Sequence, residues 1–212
     1  GKEKVIAGTV TSAIGRRVTG HIVLDRLRGS GVAAGHPLSG RLTQAMHTAV
    51  LNTRLYAHAD EMKWSKMLTN LLANATSAIL DMPPAQIFSH PELFRLEILQ
   101  LREALRVMQA LRIRVVDLPA TPVKLLAFSV RWLPLQLSRP LLARAVGAGR
   151  GQKMPSFHID LHSGRGKSEV DFLNGAVVRF GARLDIATPV NRLLNDTLTD
   201  LTEGRLLMED FA

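Results

Sequence analysis

Residues 60–80 read DEMKWSKMLTNLLANATSAIL, and this stretch decides the fold class of the larger part of the chain. Its apolar residues recur at intervals of three and four, the spacing that gathers side chains on one face of a helix. Asp60 and Glu61 stand at the start, where the free N–H groups of a first helical turn favour acidic side chains. Because Pro83 follows the stretch, we predict one amphipathic helix from Asp60 to Leu80.

The polar side of this helix has an unusual composition. Lys66, Asn70 and Asn74 follow one another at intervals of four, which turns each residue only about 40° from the last and makes one ridge. No acidic residue occurs between Glu61 and Asp81, and Asn is a mediocre helix former because its amide competes for the backbone. The residues alone leave two interpretations open: a solvated face, or a site that offers amides and one ammonium group.

The first 58 residues have a different pattern from the rest. Short β-branched segments predict strands, and the glycines between them, including Gly15 and Gly31, predict turns. The helical spacing of apolar residues in Leu38–Asn52 predicts one helix. The predicted strands are Val5–Thr11, His21–Leu24 and Arg54–Ala57. From residue 59 onward the patterns are helical, with a further helix beginning at Ser168–Asp171. We therefore predict a mainly α protein, with an α/β region at 1–58 and an all-helical domain at 59–212.

Composition excludes several functional classes. The 212 residues include no Cys, so disulfides, thiol nucleophiles and Cys-ligated zinc are excluded. A hydrophobic fraction of 46% is sufficient for a core, and no uncharged apolar run is long enough to span a membrane. The formal net charge of +9 suggests phosphate-bearing partners, but the cations are scattered and aromatic residues make up only 5%. We expect no nucleic-acid partner, no membrane partner and a cytoplasmic protein.

His158 and His162 have the spacing of a pair of metal ligands. On a helix they are four residues apart and share a face, whereas Asp160 points elsewhere. No second acidic or histidine cluster stands nearby in the sequence. A histidine pair on a helix surface is therefore favoured over a metal site, and we expect no metal.

The segment Lys63–Asn74 resembles the Lys-x3-Asn-x3-Asn helix of the ketopantoate reductases (2-dehydropantoate 2-reductases). Further segments along nearly the whole chain resemble the same family. They are Val5–Thr11, Pro155–Asp160 followed by Gly164-Arg165, Ser168–Gly175 and Ala187–Asn191.

The resemblance implies a function and a set of roles. It implies a helical domain like the C-terminal domain of 6-phosphogluconate dehydrogenase, preceded by a remnant of a Rossmann domain. It implies NADPH-dependent reduction of ketopantoate to pantoate in pantothenate biosynthesis, by a homodimer. Lys66 would be the catalytic proton donor; Asn70, Asn74 and Ser156 would bind the substrate; Glu169 and the loop ending near Ile14 would contact the cofactor.

The sequence also departs from the family pattern. Met82-Pro83-Pro84-Ala85 replaces a Cys-Pro-Asn-Gly turn, and Lys153 stands where an Asn is common. No Gly-x-Gly-x-x-Gly segment is found, so we expect the given chain to lack the cofactor-binding half and to be inactive alone. Two alternatives stay open: a non-catalytic helical dimerisation or interaction module, and a reductase of another 2-keto acid.

Overall fold

The computed structural model describes residues 4–150, 154–163 and 168–211. Lys153, Gly164 and Arg165, which entered the sequence comparison above, lie outside them. The protein is mainly α, as predicted. The helices are α1 (Ser39–Thr48), α2 (Ala59–Leu71), α3 (Asn74–Leu80), α4 (Pro84–Ser89), α5 (Pro91–Ala110), α6 (Val123–Trp132), α7 (Leu135–Arg150), α8 (Ser156–His162), α9 (Val170–Arg183) and α10 (Pro189–Thr202), followed by a 3₁₀ helix, Met208–Phe211. In the described ranges, no helix is both long and apolar enough to cross a membrane.

Packing divides the chain into two compact units. The first comprises the residues up to Lys66 together with Ile113–Leu125, and the second comprises Met67–Arg112 and Leu126–Ala212. The predicted domain boundary between residues 58 and 59 stays a prediction, because the packing units cut the chain at other positions.

The first unit contains the strands. They are β1 (Gly8–Val10), β2 (Ala13–Val18), β3 (His21–Arg26), β4 (Ser30–Ala33) and β5 (Thr53–Tyr56). Strand β4 pairs in parallel with β5, and helix α1 connects these two strands along the chain. Strand β1 pairs antiparallel with the other edge of β4. Strands β2 and β3 form a separate hairpin. The expected α/β character of this region is therefore present in a β4–α1–β5 unit.

Strands β2 and β4 were missed because their glycines were read as turns. Gly15 lies inside β2, and Gly31 lies inside the fully buried strand β4. A Cβ at Gly31 would stand 2.8 Å from Tyr56 and 2.9 Å from the sulfur of Met62. The glycine is needed for close approach of neighbouring side chains, a role that a single sequence does not separate from a turn.

The second unit has a continuous apolar core in which α3, α8, α9 and α10 meet. Its buried members are Ala75, Ala78, Ile79, Phe157, Val170, Leu194, Leu198 and Leu201. Phe157 brings the short helix α8 into this core although α8 has only seven residues. A helix this short is marginal by itself, so its position depends on tertiary packing.

The predicted helix Asp60–Leu80 is wrong as a single element, because it is broken into α2 and α3. Ala73 adopts the left-handed region, with φ of 51°. The buried carboxylate of Glu97 on α5 accepts the Ala73 N–H at 2.7 Å and the Thr76 hydroxyl at 2.5 Å. These bonds satisfy backbone and side-chain donors that the break leaves without helical partners.

A buried polar network continues from Glu97 across α5. The Gln100 amide donates to Glu97 at 2.6 Å and to the Leu71 carbonyl, the last residue of α2. Asn174 on α9 donates to the Gln100 side chain at 3.1 Å, and to Asn191 on α10 at 3.1 Å.

The same network also holds the start of α10. Glu103 accepts the backbone N–H groups of Val190 and Asn191, at 3.0 and 2.9 Å. Two of the first N–H groups of α10, which have no partner within the helix, are thereby satisfied by a carboxylate on α5. One face of α5 thus anchors the break between α2 and α3 as well as the beginning of α10.

We predict that Glu97→Gln destabilises the protein by about 1–3 kcal/mol, because an amide nitrogen would replace an oxygen that accepts from Ala73, Thr76 or Gln100. Chemical denaturation measures the free energy of unfolding. Glu92→Gln is the matched control, since Glu92 is exposed on the same helix. Equal stability of the two variants would contradict the role of Glu97.

Candidate functional site

Asn74 and Ser156 are two predicted substrate-binding residues that the structure brings together. Asn74 is the first residue of α3 and is only 4% exposed, whereas Ser156 is the first residue of α8 and is exposed. The Asn74 amide donates to the Ser156 hydroxyl oxygen at 3.3 Å, across 82 residues of sequence. Because that oxygen acts as the acceptor, the hydroxyl proton of Ser156 is left to donate to another group.

Asn74 also fixes the start of α8. Its side-chain oxygen accepts the backbone N–H of Phe157 at 3.1 Å. Pro155, which precedes α8, is extended and provides no side-chain cap. The side-chain amide of Asn74 on α3 therefore caps α8. Phe157 is 1% exposed in the core beside Ala75 and Ala78. Ser156 is therefore positioned by the residue that follows it and by Asn74.

Lys66 and Asn70 lie one turn apart on α2, and both are half-buried. They share a helix face, as predicted, but Asn74 does not continue that ridge. The left-handed Ala73 changes the direction of the backbone before Asn74, so the constant rotation of about 100° per residue does not apply across the break. The prediction of one three-residue ridge on a single helix is therefore wrong.

The two residues expected to contact a cofactor lie on different elements. Ile14 is in strand β2, paired with Leu24, and is 48% exposed. The expected loop ending near Ile14 is thus a hairpin strand. Glu169 is exposed at the N-cap position of α9 and makes no side-chain cap bond. The roles of both residues stay predictions, and the predicted start of a helix at Ser168–Asp171 is confirmed by α9.

Sequence reasoning missed Asp81, which lies beside the histidine pair. Its carboxylate is 2.6 Å from Nε2 of His158 and 3.9 Å from Nε2 of His162. The hydrogen bond from His158, supported by the charges of the two imidazoles, holds the pKa of Asp81 below its ordinary value although partial desolvation opposes this. Asp81 lies far from the histidines in sequence, so only the packing of α3 against α8 reveals the group.

An open groove of about 640 Å³ lies elsewhere in the second unit, along α5 and α7. Its polar lining residues are Glu92, Arg95, Arg102, Gln136 and Arg139, the others are apolar, and it contains none of the predicted site residues. Large volume alone does not identify a site, and the converging polar groups at Asn74 are the stronger feature.

Comparison with known proteins identifies the family. The model of the ketopantoate reductase PanE/ApbA C-terminal domain matches residues 58–202, more than half of the chain. The chain belongs to the ketopantoate reductase family.

Two curated ketopantoate reductases resemble the chain over most of its length. A 2-dehydropantoate 2-reductase from Pyrobaculum aerophilum is 28% identical over 79% of this chain and 53% of its own length. One from Halobacterium salinarum is 26% identical over 92% of this chain and 58% of its own length. The chain therefore spans between half and three fifths of the curated relatives that it matches.

Solved structures agree on the fold. A PanE/ApbA family ketopantoate reductase from Ralstonia eutropha has a TM-score of 0.75 at 20% identity, over 94% of this chain and 60% of that one. A D-mandelate dehydrogenase in complex with NADH and anilino(oxo)acetate has a TM-score of 0.73 at 17% identity, over 95% of this chain and 61% of that one. At these identities the likeness shows the shared fold.

The chain should lose local order at α8 when Asn74 is truncated. In Asn74→Ala the buried Phe157 N–H loses its acceptor, which costs about 1–3 kcal/mol. Amide hydrogen exchange should show Phe157 exchanging at least about tenfold faster, as roughly 1.4 kcal/mol implies. Ser156→Ala is the control and should leave that rate unchanged; unchanged protection in both variants would contradict the capping role.

Proposed function

We propose that this chain is the substrate-binding part of a nicotinamide-dependent 2-keto acid reductase that acts on ketopantoate. The observation that carries the proposal is the bond between Asn74 and Ser156. Two residues that the family resemblance assigns to the substrate, 82 positions apart, share one hydrogen bond in the second unit. Family membership over residues 58–202 supports the same reaction class.

Ser156 is suited to bind an oxygen of the substrate. Its hydroxyl accepts from Asn74, so its own proton is directed to an incoming acceptor such as a carboxylate or hydroxyl oxygen. Burial of Asn74 keeps that amide from exchanging its partner with water. We therefore assign contact with the substrate to Ser156 and orientation of the Ser156 hydroxyl to Asn74, with Asn70 as a further amide for the substrate.

Lys66 is suited to supply a proton. Reduction of a ketone places negative charge on the carbonyl oxygen, and an ammonium group beside that oxygen stabilises the charge and can release a proton to it. Lys66 is half-buried on a helix of 13 residues, which limits the freedom of its backbone.

A nicotinamide cofactor would supply the hydride in this reaction. The D-mandelate dehydrogenase neighbour binds NADH, and the resemblance implies NADPH for this family. The given residues contain no Gly-x-Gly-x-x-Gly segment for the pyrophosphate, so they do not fit the whole cofactor and we assign no step to it here. Contact of Glu169 and Ile14 with the cofactor, inactivity of the given chain alone and a cytoplasmic location stay predictions.

Lys66→Ala should lower kcat by about 10²–10⁴-fold, the usual contribution of a positioned general acid. The chain is assayed after fusion to a complete nicotinamide-binding domain of a ketopantoate reductase, with NADPH and NADH and a panel of 2-keto acids that includes ketopantoate. Lys63→Ala is the matched control, because Lys63 is exposed on the same helix and donates to the Gly8 carbonyl.

Turnover with the panel of 2-keto acids distinguishes a ketopantoate reductase from a reductase of another 2-keto acid and from an interaction module. Highest kcat/KM with ketopantoate supports the proposal, and a clear preference for another member assigns a different 2-keto acid. Near-normal turnover of Lys66→Ala would contradict the proton-donor role. No turnover with any 2-keto acid would favour the helical interaction module.

We also propose that the chain forms a homodimer. A ketopantoate reductase from Staphylococcus aureus, with a TM-score of 0.72 at 15% identity over 95% of this chain and 63% of that one, is described as dimeric. In this chain large apolar side chains are exposed in pairs four residues apart, the pattern of an unpartnered helix face. They are Phe128 and Trp132 on α6, and Leu137 and Leu141 on α7.

Sedimentation velocity should therefore give twice the mass of one chain. Trp132→Glu should shift the protein toward the monomer, because a carboxylate would be buried in an apolar interface. Ile22→Glu, at an equally exposed apolar position on β3, is the control and should leave the dimer intact. A wild-type chain that sediments as a monomer at every concentration would contradict the dimer.

A further inference from the structure

Asp81, His158 and His162 form a cluster outside the residues assigned to the reaction. Asp81 follows the last residue of α3, and the histidines lie one turn apart on α8. Each offers one ligand atom, and these three atoms lie within 4.8 Å of one another. The two imidazole rings stack with centroids 4.0 Å apart, so both present a nitrogen to the same carboxylate.

Packing of the two helices holds the cluster. Ile79, two residues before Asp81, and Phe157, next to His158, belong to the same buried core. Asn74 ties the start of α8 to α3 at the other end of the contact. The backbone positions of all three ligands are therefore set by the core and do not depend on the ligands themselves.

The position of Asp81 favours a positive charge beside it. Asp81 adopts the left-handed region, with φ of 49°, at the C-terminal end of α3, a conformation that Asp tolerates better than most residues. The last turn of a helix disfavours an acidic side chain because the free carbonyl groups are partly negative. A positive charge at this position would offset that electrostatic cost.

We propose that Asp81, His158 and His162 form a binding site for one divalent transition-metal ion of the Zn²⁺ type. Two imidazoles and one carboxylate are a donor set for Zn²⁺, Co²⁺ or Ni²⁺, whereas Mg²⁺ and Ca²⁺ require more oxygen ligands. The expectation of no metal is revised by this proposal, because Asp81 is distant from the histidines in sequence and only the fold brings them together. This inference does not depend on the proposed reductase function.

The two distances to Asp81 lie near those of a tetrahedral site, and a bound ion would also turn the stacked rings, whose planes are 24° apart, so that both nitrogens point at it. Metal–ligand bonds of about 2.0–2.1 Å put neighbouring tetrahedral ligands roughly 3.3 Å apart. The separations from the carboxylate oxygen are 2.6 Å to His158 and 3.9 Å to His162, one below and one above that value. The side chain of Asp81 is 63% exposed, and that of His162 is 38% exposed, so both can shift to equalise these distances. Water would fill the fourth position.

A bound ion would join α3 to α8. An ion that binds only the folded chain stabilises it by RT ln(1 + [L]/Kd), about 2.7 kcal/mol at a hundred times Kd. The same helices carry Asn74 and Ser156, so the ion would also fix the spacing of the candidate substrate residues. The site is therefore expected to show its effect in stability as well as in metal binding.

The test uses the full chain with any affinity tag removed, stripped of metal with EDTA and desalted. Calorimetric titration with ZnCl₂ should give one ion per chain, and Zn²⁺ should raise the melting temperature where Mg²⁺ does not. Co²⁺ should give the visible absorption bands of a tetrahedral site. His162→Gln and Asp81→Asn should each weaken Zn²⁺ binding at least about tenfold, the scale of losing roughly 1.4 kcal/mol.

His47→Gln is the control, since His47 is an exposed histidine at the end of α1. Circular dichroism and melting in EDTA confirm that each variant is folded before titration. The proposal is overturned if the wild-type chain binds no Zn²⁺, or if His162→Gln and Asp81→Asn bind it as tightly as His47→Gln. None of these measurements uses catalytic activity, so failure here leaves the reductase proposal standing and the reverse also holds.

Discussion

The contact between the Glu97 carboxylate and the Ala73 N–H is the interaction on which the rest of the second unit depends. A polar group without solvent contact is costly unless it is hydrogen-bonded, and Glu97 accepts from Ala73, Thr76 and Gln100. Because the Ala73 N–H is bonded to Glu97, the backbone can leave helical geometry at Ala73, and a new helix begins at Asn74. A buried acid thus converts one amphipathic segment into two helices.

The break determines where Asn74 points. At the start of α3 its amide reaches the first two residues of α8, which an uninterrupted helix would not have guaranteed. Ser156, His158 and His162 then follow along α8 in fixed register with α3. The candidate substrate residues and the candidate metal ligands are therefore two consequences of the packing of α8 against α3.

The polar residues of α5 explain why the helices packed against it adopt one register. Glu97, Gln100 and Glu103 occupy a buried side of α5 and bind groups on α3, α9 and α10. Apolar contacts alone tolerate sliding, whereas hydrogen bonds between buried groups are satisfied in one register only. The visible signal in the sequence is three long polar residues at intervals of three among the apolar residues of α5.

The sequence by itself determined the fold class, the helix within Leu38–Asn52, the start of the helix at Ser168–Asp171 and the family, because apolar spacing and the Lys66–Asn70 motif are local features. It did not determine the break at Ala73, the strand character around Gly31 or the place of Asp81. Each of these is decided by a partner distant in sequence: Glu97 for the break, Tyr56 for Gly31, and His158 for Asp81. Local pattern fixes which face is apolar, but only tertiary packing decides which polar groups meet.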